Sequence, residues 1–280
     1  MPFTCLYLVF IQHKCLYLNS LTNTLLEGIL LPGDFVTKYL VVDFRMRKIE
    51  KEYLKSLGYE IIENGFNLNT YDEIASHIDI YYLKIGDMVF SAPEKKGLLP
   101  FNTVSCTTPI GREYPLDIPY NVCVVGKNAL HNFKYIDNIV KFYLERHGYN
   151  LIQVEQGYSN CSTCILDDNT CITSDISIAK ALMDVGVDTL YVCEPDIKLK
   201  RRTNTIFVDE SRMSFEDSPM QGFIGGAMAR LGDTVVVFGD IANLVNGNKI
   251  RKFVEKKGLK LHCFEGLDVV DYGGVLEVCI

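Results

Sequence analysis

One pattern recurs along this chain and limits what it can fold into: a helical stretch, a glycine, then a short apolar strand. It reads LKSLGYEII around Gly58, LERHGYNLIQV around Gly148, MDVGVDTLYV around Gly186 and VEKKGLKLHCF around Gly258, with a weaker copy, PEKKGLLPF, around Gly97. A glycine in that place ends a helix in the left-handed conformation that side chains with a Cβ resist. The copies recur at intervals of about forty residues, the scale of a repeated supersecondary unit. The longest interval is stretched by an irregular segment, Asp196 to Gln221, which reads as a solvated loop or a lid.

A second pattern precedes several of these helices. Two β-like runs flank a polar turn, and a helix-capping residue follows. The turns are Gly86-Asp87, Asp168-Asn169 and Gly232-Asp233; the caps are Ser91 (with Pro93 in the first helical turn), Ser174 or Asp175, and Asp240. Glycine and aspartate suit tight hairpins, and Ser or Asp accepts from the first free N–H groups of a helix. The unit is therefore strand, turn, strand, helix, strand. Helices are expected over about 46–57, 134–147, 175–185 and 247–257.

The two ends of the chain each offer part of such a unit. GGVLEVCI (273–280) is an isolated strand, and KYLVVDFR (38–45) is a strand followed by a helix and a strand at 59–63. Paired together they complete a fifth unit. The expected fold class is α/β, an α/β propeller of five strand-strand-helix-strand units closed across the termini. Residues 1–24 read as an N-terminal extension and 25–280 as a single domain.

Composition narrows the function. Apolar residues are 48% of the chain, enough for a large core without metals or disulfides. A net charge of −7 disfavours nucleic acid as a partner, and no apolar run reaches the ~18 residues of a membrane span. The ten cysteines are sparse and several sit in apolar runs, as reduced thiols in a cytoplasmic protein would. Cys161-Ser162-Thr163-Cys164 is a CxxC, but it runs into a β-like stretch and lacks a second close pair, so neither redox nor zinc chemistry is expected from it. Cys161 and Cys164 read as two structural cysteines on opposite faces of one strand; in a further reading Cys161 is an active thiol at the mouth of the ring. GFIGG, with Gly222, Gly225 and Gly226, has the wrong spacing for a dinucleotide loop and suits close backbone approach. No cofactor and no metal is expected.

Taken as a set, QGYSNCSTCILDDNTCITSD, GFIGGAMARLGDTVVVFGDI and DYGGVLEV resemble the module openings and final strand of the pentein fold of guanidino-group modifying enzymes. They are most similar to an uncharacterised bacterial pentein family, a domain of unknown function. The resemblance implies a cysteine near the C-terminus that attacks a guanidinium carbon, a histidine that moves protons, and carboxylates that hold the cation. The histidine would lie in a His-hydrophobic-Asp segment; the stretch aligned with it, Arg230-Leu231-Gly232-Asp233, has none. Glu277 stands where the nucleophile is expected, and Cys279 follows two residues later on the same strand face. His131, His147 and His262 read as ordinary histidines.

The expected protein binds a small polar ligand, guanidino or amino-acid-like, at the ring centre without the standard Cys–His pair, and releases no citrulline or urea from arginine-like compounds. The alternatives are a hydrolase or amidinotransferase that uses a displaced cysteine, and a non-catalytic interaction factor. Candidate catalytic groups are Cys161, Glu277 and Cys279. Candidate ligand contacts are Asp43, Arg45, Asn160, Ser162, Gly225, Gly226, Asp271, Gly273 and Gly274.

Overall fold

The computed structural model describes residues 36–203 and 213–280. The expected boundary near residue 24 lies outside them. The described residues from Thr37 onward form one compact unit.

Each unit is built by the same local rules. A hairpin supplies two antiparallel strands, the chain crosses over, and the next strand pairs in parallel with the second hairpin strand. β3 (Tyr82–Ile85) and β4 (Met88–Ser91) pair this way, with β5 (Val104–Ser105) parallel to β4. The pattern repeats in β6 (Cys123–Val125), β7 (Asn128–His131) and β8 (Asn150–Gln153). It repeats again in β9 (Thr163–Asp167), β10 (Thr170–Thr173) and β11 (Asp188–Tyr191). A further copy is β14 (Met228–Leu231), β15 (Thr234–Val237) and β16 (Lys260–His262). The last draws on both chain ends: β17 (Leu276–Cys279) lies antiparallel to β1 (Lys38–Asp43), with Leu40 opposite Glu277, and β2 (Glu60–Asn64) lies parallel to β1. This is the pairing of termini the sequence led us to expect.

Four crossovers carry a helix of nine or ten residues: α1 (Lys48–Ser56), α3 (Asn138–Arg146), α4 (Ile176–Asp184) and α5 (Gly247–Lys256). Each ends at one of the repeated glycines, and Gly58, Gly148, Gly186 and Gly258 all have φ between +68° and +89°. Helix α3 starts four residues later than the apolar pattern suggested. Asp137 sets that start: its Oδ1 accepts from the N–H groups of Ile139 and Val140, while its Oδ2 accepts from the backbone and hydroxyls of Thr107 and Thr108. These donors hold its carboxyl below the usual range against the opposing effect of burial. Asp137→Ala is expected to destabilise the protein by about 3 kcal/mol in urea unfolding, because it removes a cap and strands buried donors together; a loss under ~1 kcal/mol would show that those donors find other partners.

Three expectations are corrected. Ser91 ends β4 rather than capping a helix; Ala92 precedes a single 3-10 turn, Pro93–Lys95. Asp240 caps, but the element is the 3-10 turn Ile241–Asn243. The segment read as an irregular loop contains two paired strands, β12 (Lys198–Arg202) and β13 (Phe215–Gln221). Their outward charges are mutually paired, Lys200 with Asp217 and Arg201 with Glu216. Among the described residues no helix is long and apolar enough to cross a membrane.

Candidate functional site

The segments that enter the first strand of each three-stranded sheet contact one another in sequence. Asn121, ahead of β6, donates from Nδ2 to Cys161 Sγ at 3.2 Å and accepts at Oδ1 from the backbone of Asn160 and Cys161, ahead of β9. The Gly226 N–H, ahead of β14, donates to the Cys161 carbonyl. Gly226 in turn accepts from the N–H groups of Tyr272 and Gly274, ahead of β17. The Gly273 carbonyl then accepts from Asp79 N–H, at the helical turn α2 (Ile78–Tyr81) before β3. Glycine is required at two of these contacts: a side chain at Gly225 would collide with the Asn160 and Cys161 carbonyls, and one at Gly226 with the Asp271 carboxylate.

What gathers there is a buried cluster of Cys161, His77, Asp79 and Asp271. The Cys161 thiol donates to Asp79 Oδ2 at 2.7 Å. His77 Nδ1 lies 3.8 Å from Asp271 Oδ1, and neither ring nitrogen makes a hydrogen bond; Asp79 Oδ1 is also unpartnered. Asp271 is fixed by the N–H groups of Phe223 and Gly273.

The electrostatics follow from crowding acids into a dry place. Burial, with Asp271 adding to it, pushes Asp79 up to about 7. Burial also raises Asp271, against the pull of His77. The Cys161 thiol is driven well up by burial and by the two carboxylates. Burial keeps His77 low, although Asp271 opposes it. The cluster therefore holds a protonated thiol beside two carboxyls whose proton affinity is raised, and a planar cation would relieve it.

The donor set can also hold a metal. His77, Asp79 and Cys161 offer one nitrogen, one oxygen and one sulfur, all within 4.8 Å of one another, a combination suited to a thiophilic divalent cation.

Two cavities border the cluster. One, of about 300 Å³, is lined by Tyr71, Tyr158, Phe223, Leu199, Glu73, His77, Cys161 and Asp271, among others. The other, of about 210 Å³, includes Asp79, Asn160, Gly225, Gly273, Gly274 and Glu277.

Most of the sequence candidates converge here. Cys161, Asn160, Gly225, Gly226, Asp271, Gly273 and Gly274 sit at or against the cluster. Cys161 stands in the turn before β9, not on the strand with Cys164, because Thr163 is the first residue to pair. Ser162 faces away, its hydroxyl donating to the Tyr158 carbonyl. Glu277 lines the second cavity but is engaged by the Tyr59 hydroxyl, and Cys279 is exposed near the strand end. Asp43 and Arg45 form a buried ion pair at 2.6 Å. Burial alone would raise Asp43, yet the Arg45 guanidinium holds it low.

Sequence reasoning misses His77, Asp79 and Asn121. The signal for two of them is present: His77-Ile78-Asp79 is a His-hydrophobic-Asp segment immediately before a strand, three units away from the stretch aligned with that motif. Asn121 is one asparagine at the start of an apolar run and carries no such mark.

Comparison with known proteins gives a family without a function. A model of a family of unknown function (DUF6873) matches residues 41–208 and 201–276. No curated protein matches the sequence. Among solved structures, DDAH from Pseudomonas aeruginosa, a cysteine-to-serine mutant complexed with citrulline, is similar with a TM-score of 0.51 and 10% identity. That match covers 88% of this chain and 100% of that one, and it establishes the shared α/β fold of the pentein enzymes. Agmatine deiminase from C. jejuni has a TM-score of 0.45 at 10% identity, covering 86% of this chain and 93% of its own. SxtG, an amidinotransferase from Microseira wollei, has 0.43 at 12%, covering 82% and 78%.

Proposed function

The chain belongs to the family of unknown function DUF6873, and from that premise we propose that it is a cysteine-dependent enzyme that hydrolyses or transfers the group of a small guanidinium- or amidinium-type cation. The sheets are read as the blades of a propeller closed through the termini, with the cluster at its centre. The pairing of β17 with β1 and the chain of contacts from Asn121 through Cys161, Gly226 and Gly273 to Asp79 support that arrangement. The protein is read as cytoplasmic, with a small polar ligand as its partner.

The observation that carries the reading is the Cys161 thiol bonded to Asp79 at 2.7 Å with an unpartnered His77 in the same cluster. Asp79 and Asp271 hold the planar cation, whose charge lowers the cost of ionising the thiol. Sγ bonds to the central carbon as the thiol proton passes to the Asp79 carboxylate. The C–N bond to the leaving amine breaks, and that amine departs with the proton that Asp79 took from the thiol. Water, or a second amine, then adds to the carbon and expels Sγ, restoring the thiol. The shared fold with a DDAH that is complexed with citrulline agrees with this chemistry. A second reading, ligand binding without turnover, is favoured by the raised thiol and by the position of Cys161 far from the C-terminus.

The test compares two alkylators of equal size. Cationic chloroacetamidine should modify Cys161 at least about tenfold faster than neutral chloroacetamide, because the carboxylates concentrate the cation beside the sulfur. Peptide mapping by mass should locate the adduct at Cys161 and lose it in Cys161→Ser. Equal rates, or an adduct elsewhere, would overturn the site. Cationic selectivity with no product from any guanidine would leave the binding reading in place of the catalytic one.

A further inference from the structure

The cavity that leads to Cys161 has an unusual lining for a site that meets a cation. Tyr71, Tyr158, Phe223, Leu199, Ile74 and Met220 form most of its wall. The Tyr158 and Phe223 rings lie 6.1 Å apart and 34° from parallel. The Tyr158 hydroxyl is committed elsewhere, donating to Asp117 at 2.6 Å, so the ring presents carbon to the cavity environment. The charged groups in the lining are acids, Glu73 and Asp271, besides the titratable His77 and Cys161.

No lysine or arginine is among those lining residues. The two arginines in the adjoining wall are already spent. Arg45 gives its guanidinium donors to Asp43 and to the carbonyls of Asp72, Glu73 and Lys200. Arg202 is fixed in a two-point contact with both carboxylate oxygens of Asp72. Among the described lining residues no lysine or arginine faces the cavity, and bringing a carboxylate in beside Glu73 and Asp271 sets desolvated like charges together.

We infer that this site takes a guanidinium or amidinium carried on an apolar or aromatic arm and lacking any carboxylate, rather than arginine or another amino acid. The inference rests on the reading above for the place where the cation is held, and it adds what the rest of the molecule must be. The cationic head sits among Cys161, Asp79 and Asp271. The arm lies along Leu199 and Met220 and against the aromatic rings of the wall, where an apolar group gains from leaving water and a cation gains from the ring quadrupoles. Glu73, with one oxygen already accepting from Ser218, favours a neutral or cationic tail over an anionic one.

The test uses 2-phenylethylguanidine against arginine, with phenethyl alcohol as the uncharged control, read by calorimetry on the full chain. Phenylethylguanidine should bind roughly 100-fold more tightly than arginine, the scale of discrimination that an unpaired buried polar group imposes. Phe223→Ala and, separately, Met220→Ala should each cut that preference several-fold. Arginine binding as tightly as phenylethylguanidine, or the alcohol binding as tightly as either, overturns the inference. Preference for phenylethylguanidine without any cysteine adduct keeps the inference and removes the reaction. Tight arginine binding with a Cys161 adduct does the reverse, and no binding by any probe removes both.

Discussion

Gly226→Ala is expected to lower stability by about 3 kcal/mol or more and to abolish the cationic selectivity of Cys161. The residue has no positive φ, so the cost is not one of backbone conformation. It is steric: a methyl group there overlaps Asp271 Oδ1. Asp271 cannot swing clear without giving up Phe223 N–H and Gly273 N–H, which would leave a buried carboxylate and two buried donors unpaired. Gly274→Ala is the matched control. Its φ is +66°, so alanine there costs about 1 kcal/mol of left-handed strain, but the space beside it is open apart from an ordinary contact with the Gly225 carbonyl. Urea unfolding of both variants, with alkylation of Cys161 measured on the folded fraction, separates the two costs. If Gly226→Ala is no worse than Gly274→Ala, the carboxylate is less tightly held than its hydrogen bonds imply, and its role in gripping a cation fails with it.

The repeated unit was legible because its punctuation is chemical. Gly58, Gly148, Gly186 and Gly258 end helices in a conformation few other residues tolerate, and the hairpin turns at Gly86, Asp168-Asn169 and Gly232 fall where strands reverse. Once the unit was counted, the pairing of β17 with β1 followed from the incomplete copies at the two ends. The hairpin β12–β13 was not legible for a related reason. Its segment reads KLKRR and FEDSPMQ, with intermediate or exposed positions predominating, so the alternation of apolar and polar residues that marks a half-buried strand is missing.

The site was half legible. Glycines 225, 226, 273 and 274 are visible as closely spaced glycine pairs, which stand where neighbouring backbone or side chains crowd the chain or where φ is positive, and Cys161 is visible through its pairing with Cys164 in the sequence. Three side chains from other units complete the cluster, and local pattern cannot bring residues 77, 121 and 161 together. His77-Ile78-Asp79 bears the form of the expected motif, but it lies in a short turn of helix between two units, and the alignment placed that motif beside β15. The repetition is itself the reason for the miss: similar positions recur in every unit, so a motif of this form can stand in one unit while the stretch aligned with it lies in another.

The second large effect is on acid stability, and it comes from a histidine outside the cluster. His131 closes β7, is fully buried, and is held by that burial at about 4 against a small opposing effect of the Asn121 backbone. Its unfolded value is about 6.5. Between those two values the unfolded chain binds a proton that the folded chain refuses, so stability falls as pH drops from about 6.5 to 4 and levels off below. The full loss from this residue is about 3 kcal/mol, since each tenfold difference in proton affinity between the folded and unfolded chain is worth ~1.4 kcal/mol. Asp79 acts in the opposite sense. Its folded value near 7 exceeds its unfolded one, so it binds its proton first in the folded state and adds stability as pH falls from about 7 toward 4. The parent's net profile therefore mixes both signs, and the informative quantity is the difference between parent and variant. His131→Phe removes the imidazole while keeping a ring against Phe133. The difference in unfolding free energy between parent and His131→Phe should change by about 3 kcal/mol between about pH 7 and pH 4, with the parent losing ground as acid is added. A pH-independent difference would mean that the folded protein admits the proton at His131. Asp79→Asn should shift the profile the other way, and the two variants together separate a core histidine from an acid of the buried cluster.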